Sequence, residues 1–205
     1  LKKGTIVDST IISAPSSTRN KEKKRDPDAH QVKKGNTWHF GYKAHIGVDK
    51  DSGLVHTVEA TAANVHDVTE VPKLLTGEEE AVYGDSGYLG AGKREDAIVR
   101  NKSGRKIKYK INRRPSQMKK LSKSGQYAAK RAEHTKSSVR AKVEHVFGVV
   151  KKQLHFRNRR RLRYPLDARI SRVSIPDLSY IRSPHPRHGW TWLGLDFPRI
   201  VPMYG

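Results

Sequence analysis

Three acidic residues lie where metal-dependent phosphoryl transfer places its ligands. Asp8 interrupts the β-branched run Thr5-Ile6-Val7-Asp8-Ser9-Thr10-Ile11-Ile12. Asp85 closes a second short run, Ala81-Val82-Tyr83-Gly84-Asp85, and is followed by Ser86-Gly87-Tyr88. Glu144 falls in a helical pattern, four residues after Arg140 and seven before Lys151. Aspartate is depleted in strands, and a half-buried carboxylate is costly unless it is hydrogen-bonded or bound to a cation. Hard cations such as Mg²⁺, with Mn²⁺ as a substitute, prefer oxygen ligands and keep several waters. Two of them roughly 3.5–4 Å apart can assist both the attacking and the leaving oxygen of an in-line displacement. Each acid also has a plainer role open to it. Asp8 could be a turn residue and Asp85 the start of an Asp-Ser-Gly turn. Glu144 could pair with Arg140 on a helix surface, an interaction worth about 0.2–0.5 kcal/mol. Histidine offers a weaker set: His39 and His45 share a strand face but stand six residues apart, and His66-Asp67 reads as a helix start.

The elements that must hold these acids follow from periodicity. Residues 5–12 read as a strand and 13–36 as a polar loop with Pro15, Pro27 and Gly35. From Trp38 to Val48 the even positions are Trp, Phe, Tyr, Ala, Ile and Val, a period of two that marks a half-buried strand. On that pattern Trp38 belongs with the core aromatics. A turn at 49–53 returns the chain into a paired strand at 54–60. Asp67, with Glu70 three residues later, looks like a capping box opening a short helix that ends near Gly77. A strand at 81–85, a short helix at 93–100 and a strand at 107–111 follow. From about Gln126 to Leu154 the pattern is helical, with Val139, Val143, Val146, Phe147, Val150 and Leu154 on one arc. Arg140, Glu144 and Lys151 fall at the edge of that arc, so Glu144 is expected at the rim of the core rather than out in solvent. Lys142, His145 and Lys152 fall on the far side. The fold class is α/β: a mixed sheet flanked by helices, with a long C-terminal helix.

Charge names the partner class. The chain carries 42 Lys and Arg against 20 Asp and Glu in 205 residues, a net charge of +22, which favours a polyanion such as DNA. With no cysteine there is neither a disulfide framework nor a thiolate zinc site. No apolar run approaches a membrane span and no signal peptide is visible, so no membrane partner is expected. The loops at 19–25 and 102–123 are strongly basic. Arg19, Lys21, Lys23, Lys24, Arg25 and Lys43, with Arg140 and Lys151, are the candidate phosphate contacts. Composition changes abruptly near the end. The last 53 residues contain no lysine but ten arginines and six of the ten prolines. Residues 157–205 therefore read as an irregular Arg/Pro-rich tail. A shift of reading frame near 155–160 is one origin for it, and a natural extension the other.

The longer motifs carry a resemblance. Val7-Asp8-Ser9-Thr10, the stretch Gly35 to Asp49, Thr61-Ala62-Ala63-Asn64-Val65-His66-Asp67, Gly84-Asp85-Ser86-Gly87-Tyr88 and Arg140-x3-Glu144-x6-Lys151 resemble the insertion-sequence transposases of the IS-five group. These are DDE transposases with an RNase H-like catalytic domain, here spanning 1–156. The resemblance implies that Asp8, Asp85 and Glu144 are catalytic acids and Mg²⁺ ligands. It implies that Arg140 and Lys151 are the basic members of a Tyr-x2-Arg-x3-Glu-x6-Lys signature. The implied reaction is DNA cleavage at the element's ends followed by attack of the released 3′-hydroxyl on target DNA. The implied setting is the bacterial cytoplasm, at the nucleoid, with a homo-oligomer assembled on double-stranded DNA. Three features depart from the family pattern. Ser137 stands where the signature has tyrosine, the helical DNA-binding region expected before the first aspartate has no counterpart, and the tail replaces the family's helical ending. A non-catalytic DNA-binding relic of a decayed transposase is the alternative expectation, and a stand-alone nuclease of the same fold a third.

Overall fold

A computed structural model describes residues 3–19 and 23–153. Six strands form one curled mixed sheet: β1 (Gly4–Ser13), β2 (His30–Lys34), β3 (Thr37–Asp49), β4 (Val55–Ala62), β5 (Ala81–Gly84) and β6 (Lys108–Ile111). The helices are α1 (Asp67–Leu74), α2 (Pro115–Lys119) and α3 (Lys123–Gly148), the last continued by a π turn at Val149–Gln153. Strand order is β2-β3-β1-β5-β6, with β4 also paired to β3. β1 lies antiparallel to β3 and parallel to β5, and β5 lies parallel to β6. This is an RNase H-like arrangement. The Arg/Pro-rich tail, Leu154 and Lys21 lie outside the described residues.

Both sheet faces are covered, and that changes the expectation for β3. Residues 41–49 are buried at every position, not at alternate ones. One face carries α3: Val143, Val146 and Phe147 pack on Ile6, Ile46, Val48, Ala81 and Tyr83, with Val139 and Val150 at the margin. The other carries α1, whose Val71 and Leu74 pack with Val7, Val82, Tyr88 and Ile107. α1 starts at Asp67 as expected, but its N-cap is His66 and no side chain caps it. The capping box is absent because the Asp67 carboxylate turns back to the sheet, where it accepts from Ser9 Oγ at 2.8 Å. The turn from α1 into β5 is tied by buried Glu79. Its Oε1 accepts from Thr76 N at 2.7 Å, Thr76 Oγ1 at 2.8 Å and Thr5 Oγ1 at 3.2 Å, and its Oε2 from Gly77 N at 2.9 Å.

Three other expectations give way. The loop expected over 13–36 contains β2, which pairs with residues 37–41 of β3 across the turn Gly35-Asn36; Gly35 has φ 61°, a conformation suited to a two-residue hairpin. The helix expected over 93–100 is not formed: a 3-10 turn covers Ala91–Lys93, and the chain then runs irregularly to an Arg100–Lys106 bridge, with Ile107 N donating to Val99 O. Trp38 is not in the core. It is 64 % exposed, because β2 and the start of β3 form an arm beyond the end of β1.

Candidate active site

β1 and β5 place the two aspartates. Their parallel ladder pairs Gly4 with Ala81, Thr5 with Val82 and Ile6 with Tyr83. Two residues further along each chain come Asp8 and Asp85, side by side at the carboxyl end of the parallel pair, where open α/β sheets present ligand-binding groups. Asp8 remains in the sheet, paired with Ile46 of β3, and its side chain is 15 % exposed. Asp85 stands just past β5 and caps the following 3-10 turn, Oδ1 accepting from Gly87 N at 2.8 Å.

α3 supplies the third wall. Its Val143-Val146-Phe147 stripe docks on the sheet and fixes its rotation. Further toward its start, Glu133 and Lys136 pair at 2.8 Å. Lys136 donates to Ile111 O at 2.8 Å, and Glu133 accepts from Asn112 Nδ2 at 2.9 Å and Arg113 N at 3.0 Å, which pins the helix to the end of β6. Ser137, at the signature tyrosine position, accepts from Asn112 Nδ2 at 3.3 Å. With the helix so held, Arg140, Glu144 and Lys151 line one cleft of about 460 Å³ together with Asp8, Asp85, Ser9, Thr10, Lys34, Phe147 and Gly148.

Arg140 does not pair with Glu144. Its Nη2 donates instead to Asp8 Oδ2 at 3.1 Å across the helix–sheet junction, while Asp8 Oδ1 accepts from Ser9 N at 2.8 Å. Burial pushes the Asp8 carboxyl above its ordinary pKa, and the nearby Asp85 carboxylate adds to this. The Ser9 amide and Arg140 pull the other way without prevailing. Glu144 is exposed, not rim-buried as expected from the helical arc; it reaches the cleft from the solvent side. Lys142 is not on a free outer face either: its ammonium donates to the carbonyls of Lys50 and Asp51, the latter at 3.1 Å.

The donor set suits a hard cation. It consists of carboxylate oxygens, and among the described residues Asp85 is bonded through Oδ1 alone. A guanidinium already sits against Asp8 Oδ2, so the site accommodates positive charge there. No three acidic or imidazole groups among the described residues close around a single point. Asp8, Asp85 and Glu144 would therefore have to draw together to share an ion.

The Transposase DDE domain family model matches residues 1–173. The chain belongs to this family. No solved structure matches it. As a family, DDE transposases act on DNA through transposition-related strand cleavage and transfer, and generally use divalent metal ions. Among the described residues no helix is long and apolar enough to cross a membrane.

Other residues singled out in this DDE domain fall into two groups. Arg19, Lys23, Lys24 and Arg25 are exposed on the loop leading into the β2–β3 arm, with the Arg25 guanidinium 5.8 Å from the centre of the Phe40 ring. Lys43 is buried, and this corrects its expected role. Its ammonium donates to Val65 O at 2.7 Å and lies 3.0 Å from Asp67, on the α1 side of the sheet, where it supports the fold rather than facing a phosphate. His45 beside it is fully buried, with Nε2 2.8 Å from Thr61 Oγ1; burial holds its pKa below the ordinary value and so keeps it neutral near pH 7. Sequence reasoning missed Lys34 as a cleft residue. The signal was the pair Lys33-Lys34 ahead of Gly35-Asn36, a hairpin-turn pattern lost in a segment taken for loop. It also missed Tyr88, buried beneath the site. Burial, with the Asp8 and Asp67 charges nearby, drives the Tyr88 phenol far above its ordinary pKa and keeps it protonated.

Proposed function

We propose that this chain is the catalytic domain of an insertion-sequence transposase of the IS-five group, and that it cleaves DNA and transfers strands with Asp8, Asp85 and Glu144 as its catalytic acids. One observation carries this: three carboxylates from three separate elements line a single cleft, with Arg140 and Lys151 on the same wall. Divalent ions held by Asp8, Asp85 and Glu144 would activate the attacking oxygen and offset charge on the leaving one. The remaining work falls to the chain's own groups. Arg140 partly offsets the Asp8 charge and would be free to turn to a phosphate oxygen once that carboxylate had another partner. Lys151 draws the backbone phosphate into the cleft. The exposed bases Arg19, Lys23, Lys24 and Arg25 hold the flanking duplex. The double-stranded element end and the target are the substrates.

The test is Mg²⁺-dependent nicking of a duplex carrying an element end, with Asp85→Ala as the comparison. Nicking by the parent chain and loss in the variant is the expected result. Equal nicking by both would remove the role given to Asp85. DNA binding without nicking by the parent would leave a DNA-binding relic instead.

A further inference from the structure

The β2–β3 arm has a composition that neither the core nor the acidic site explains. Trp38 is its most conspicuous residue, an indole left 64 % exposed at the start of β3. On this projecting arm the ring is left with an aromatic face open to contact. Lys33, its direct cross-strand partner, holds an ammonium 5.9 Å from the indole centre. The next residue, Lys34, lines the acidic cleft with Asp8, Asp85 and Glu144. Between Ala29 and Val48 the chain has no Asp or Glu. Strand alternation puts Trp38 and Lys33 on one face of the hairpin and Lys34, paired with Thr37, on the other. An indole with a cation beside it thus stands one residue along the hairpin from a lysine that lines the cleft.

We infer that this arm holds an unpaired stretch of DNA at the cleft, with Trp38 stacked on a base and Lys33 and Lys34 on the adjoining phosphates. The inference rests on the DNA-cleaving role proposed above for the cleft. The chemistry favours an unpaired strand because an indole stacks on a base only when that base's face is open; inside a duplex both faces are covered, and only the terminal pair exposes one. Stacking tolerates any base, whereas the lysines read only backbone charge. The arm would therefore favour frayed or nicked ends without reading their sequence.

The chain has two other tryptophans, Trp190 and Trp192. The full-length Trp190→Phe/Trp192→Phe variant makes Trp38 the sole indole reporter. Its fluorescence is followed while labelled DNA, either blunt duplex or duplex with a short unpaired end, is titrated in; anisotropy of the label records binding independently. Strong quenching with the unpaired end and little with the blunt duplex is the expected result. Trp38→Ala should then weaken binding of the unpaired end by about tenfold and of the blunt duplex by less than about twofold, with Trp38→Tyr restoring most of the loss. Bound DNA with unchanged Trp38 emission, or equal weakening for both DNAs, would overturn the arm's role and leave the cleft assignment standing. Failure of either DNA to raise the anisotropy would overturn both.

Discussion

Two acids lie along β1, Glu79 against its start and Asp8 in its middle, and they are handled in opposite ways. Near its start, Thr5 reaches Glu79, whose carboxylate takes four hydrogen bonds from Thr5, Thr76 and Gly77. Burial alone would raise the Glu79 pKa, but these bonds outweigh it and hold the carboxyl below its ordinary value. Further along, Asp8 has one backbone amide and one guanidinium, and burial prevails. Glu79 is stabilised as an anion by the folded chain itself, whereas Asp8 is left short of compensation. A carboxylate in the second condition gains most from an added cation. The contrast separates an acid satisfied by the fold from one left short of partners, although both are largely shielded from solvent.

The widest separation between these acids should come from activity. Asp8→Ala or Asp85→Ala is expected to lower Mg²⁺-dependent nicking by about a thousandfold or more, since the ions they would hold supply several kcal/mol to the transition state. Urea midpoints of these variants should stay near that of the parent. A midpoint loss matching the activity loss would erase the distinction. Glu79→Ala should do the reverse: it leaves buried donors without an acceptor, for a loss of about 2–3 kcal/mol by urea denaturation. Nicking by the fraction still folded should be little changed.

Acidity sharpens the same contrast. Because the Glu79 pKa is lowered by folding, its contribution is complete above the unfolded carboxylate value of about 4.3 and fades as pH falls through the folded value. The stability gap between the parent and Glu79→Gln should therefore narrow on acidification. Asp8 has the opposite sign. Its raised pKa makes the ionised form the unfavourable one in the folded chain, so any stability from protonation is present below the unfolded value and lost as pH rises through the folded one. Asp8→Asn should be as stable as the parent at neutral pH, or slightly more so. A clear loss there would mean that the Arg140 pair outweighs burial. The smallest effect concerns the basic loop. Replacing Arg19, Lys23 and Lys24 with alanine should flatten the log–log salt dependence of DNA affinity by up to about 3, or about 0.9 for each phosphate contact removed. An unchanged slope would take that loop off the DNA.

The sequence revealed those parts of the fold whose apolar residues recur regularly along the chain. β1, β3, β4, β5, β6 and α3 stand close to their expected places because their apolar residues repeat at strand or helix spacing. β2 has no such pattern: four of its five residues, His30, Gln31, Lys33 and Lys34, are exposed, and only pairing with β3 makes it a strand. Residues 93–100 contain good helix formers, yet the Arg94–Asp96 pair and the bridge to Lys106 draw them into an irregular path. α2 is only five residues long, too short for a period to register. The acids themselves were legible as chemical types in strand and helix contexts. The Arg140–Asp8 pair was not, because helical spacing puts Glu144 within reach of Arg140 and says nothing of a residue 132 positions away. Lys43 misled for a related reason. Its charge suggests the surface, and only the second covered face of the sheet reveals why it is buried.

The ladder between β1 and β5 ends at Ile6 and Tyr83, before either aspartate. Beyond that last rung the two acids are borne differently. Asp8 is still bolted to β3 through the antiparallel ladder, while Asp85 rides on a short turn braced by one amide of its own. Mechanically they resemble the fixed and sliding jaws of a caliper. The sheet sets the position of the first jaw directly and that of the second only through the turn that carries it.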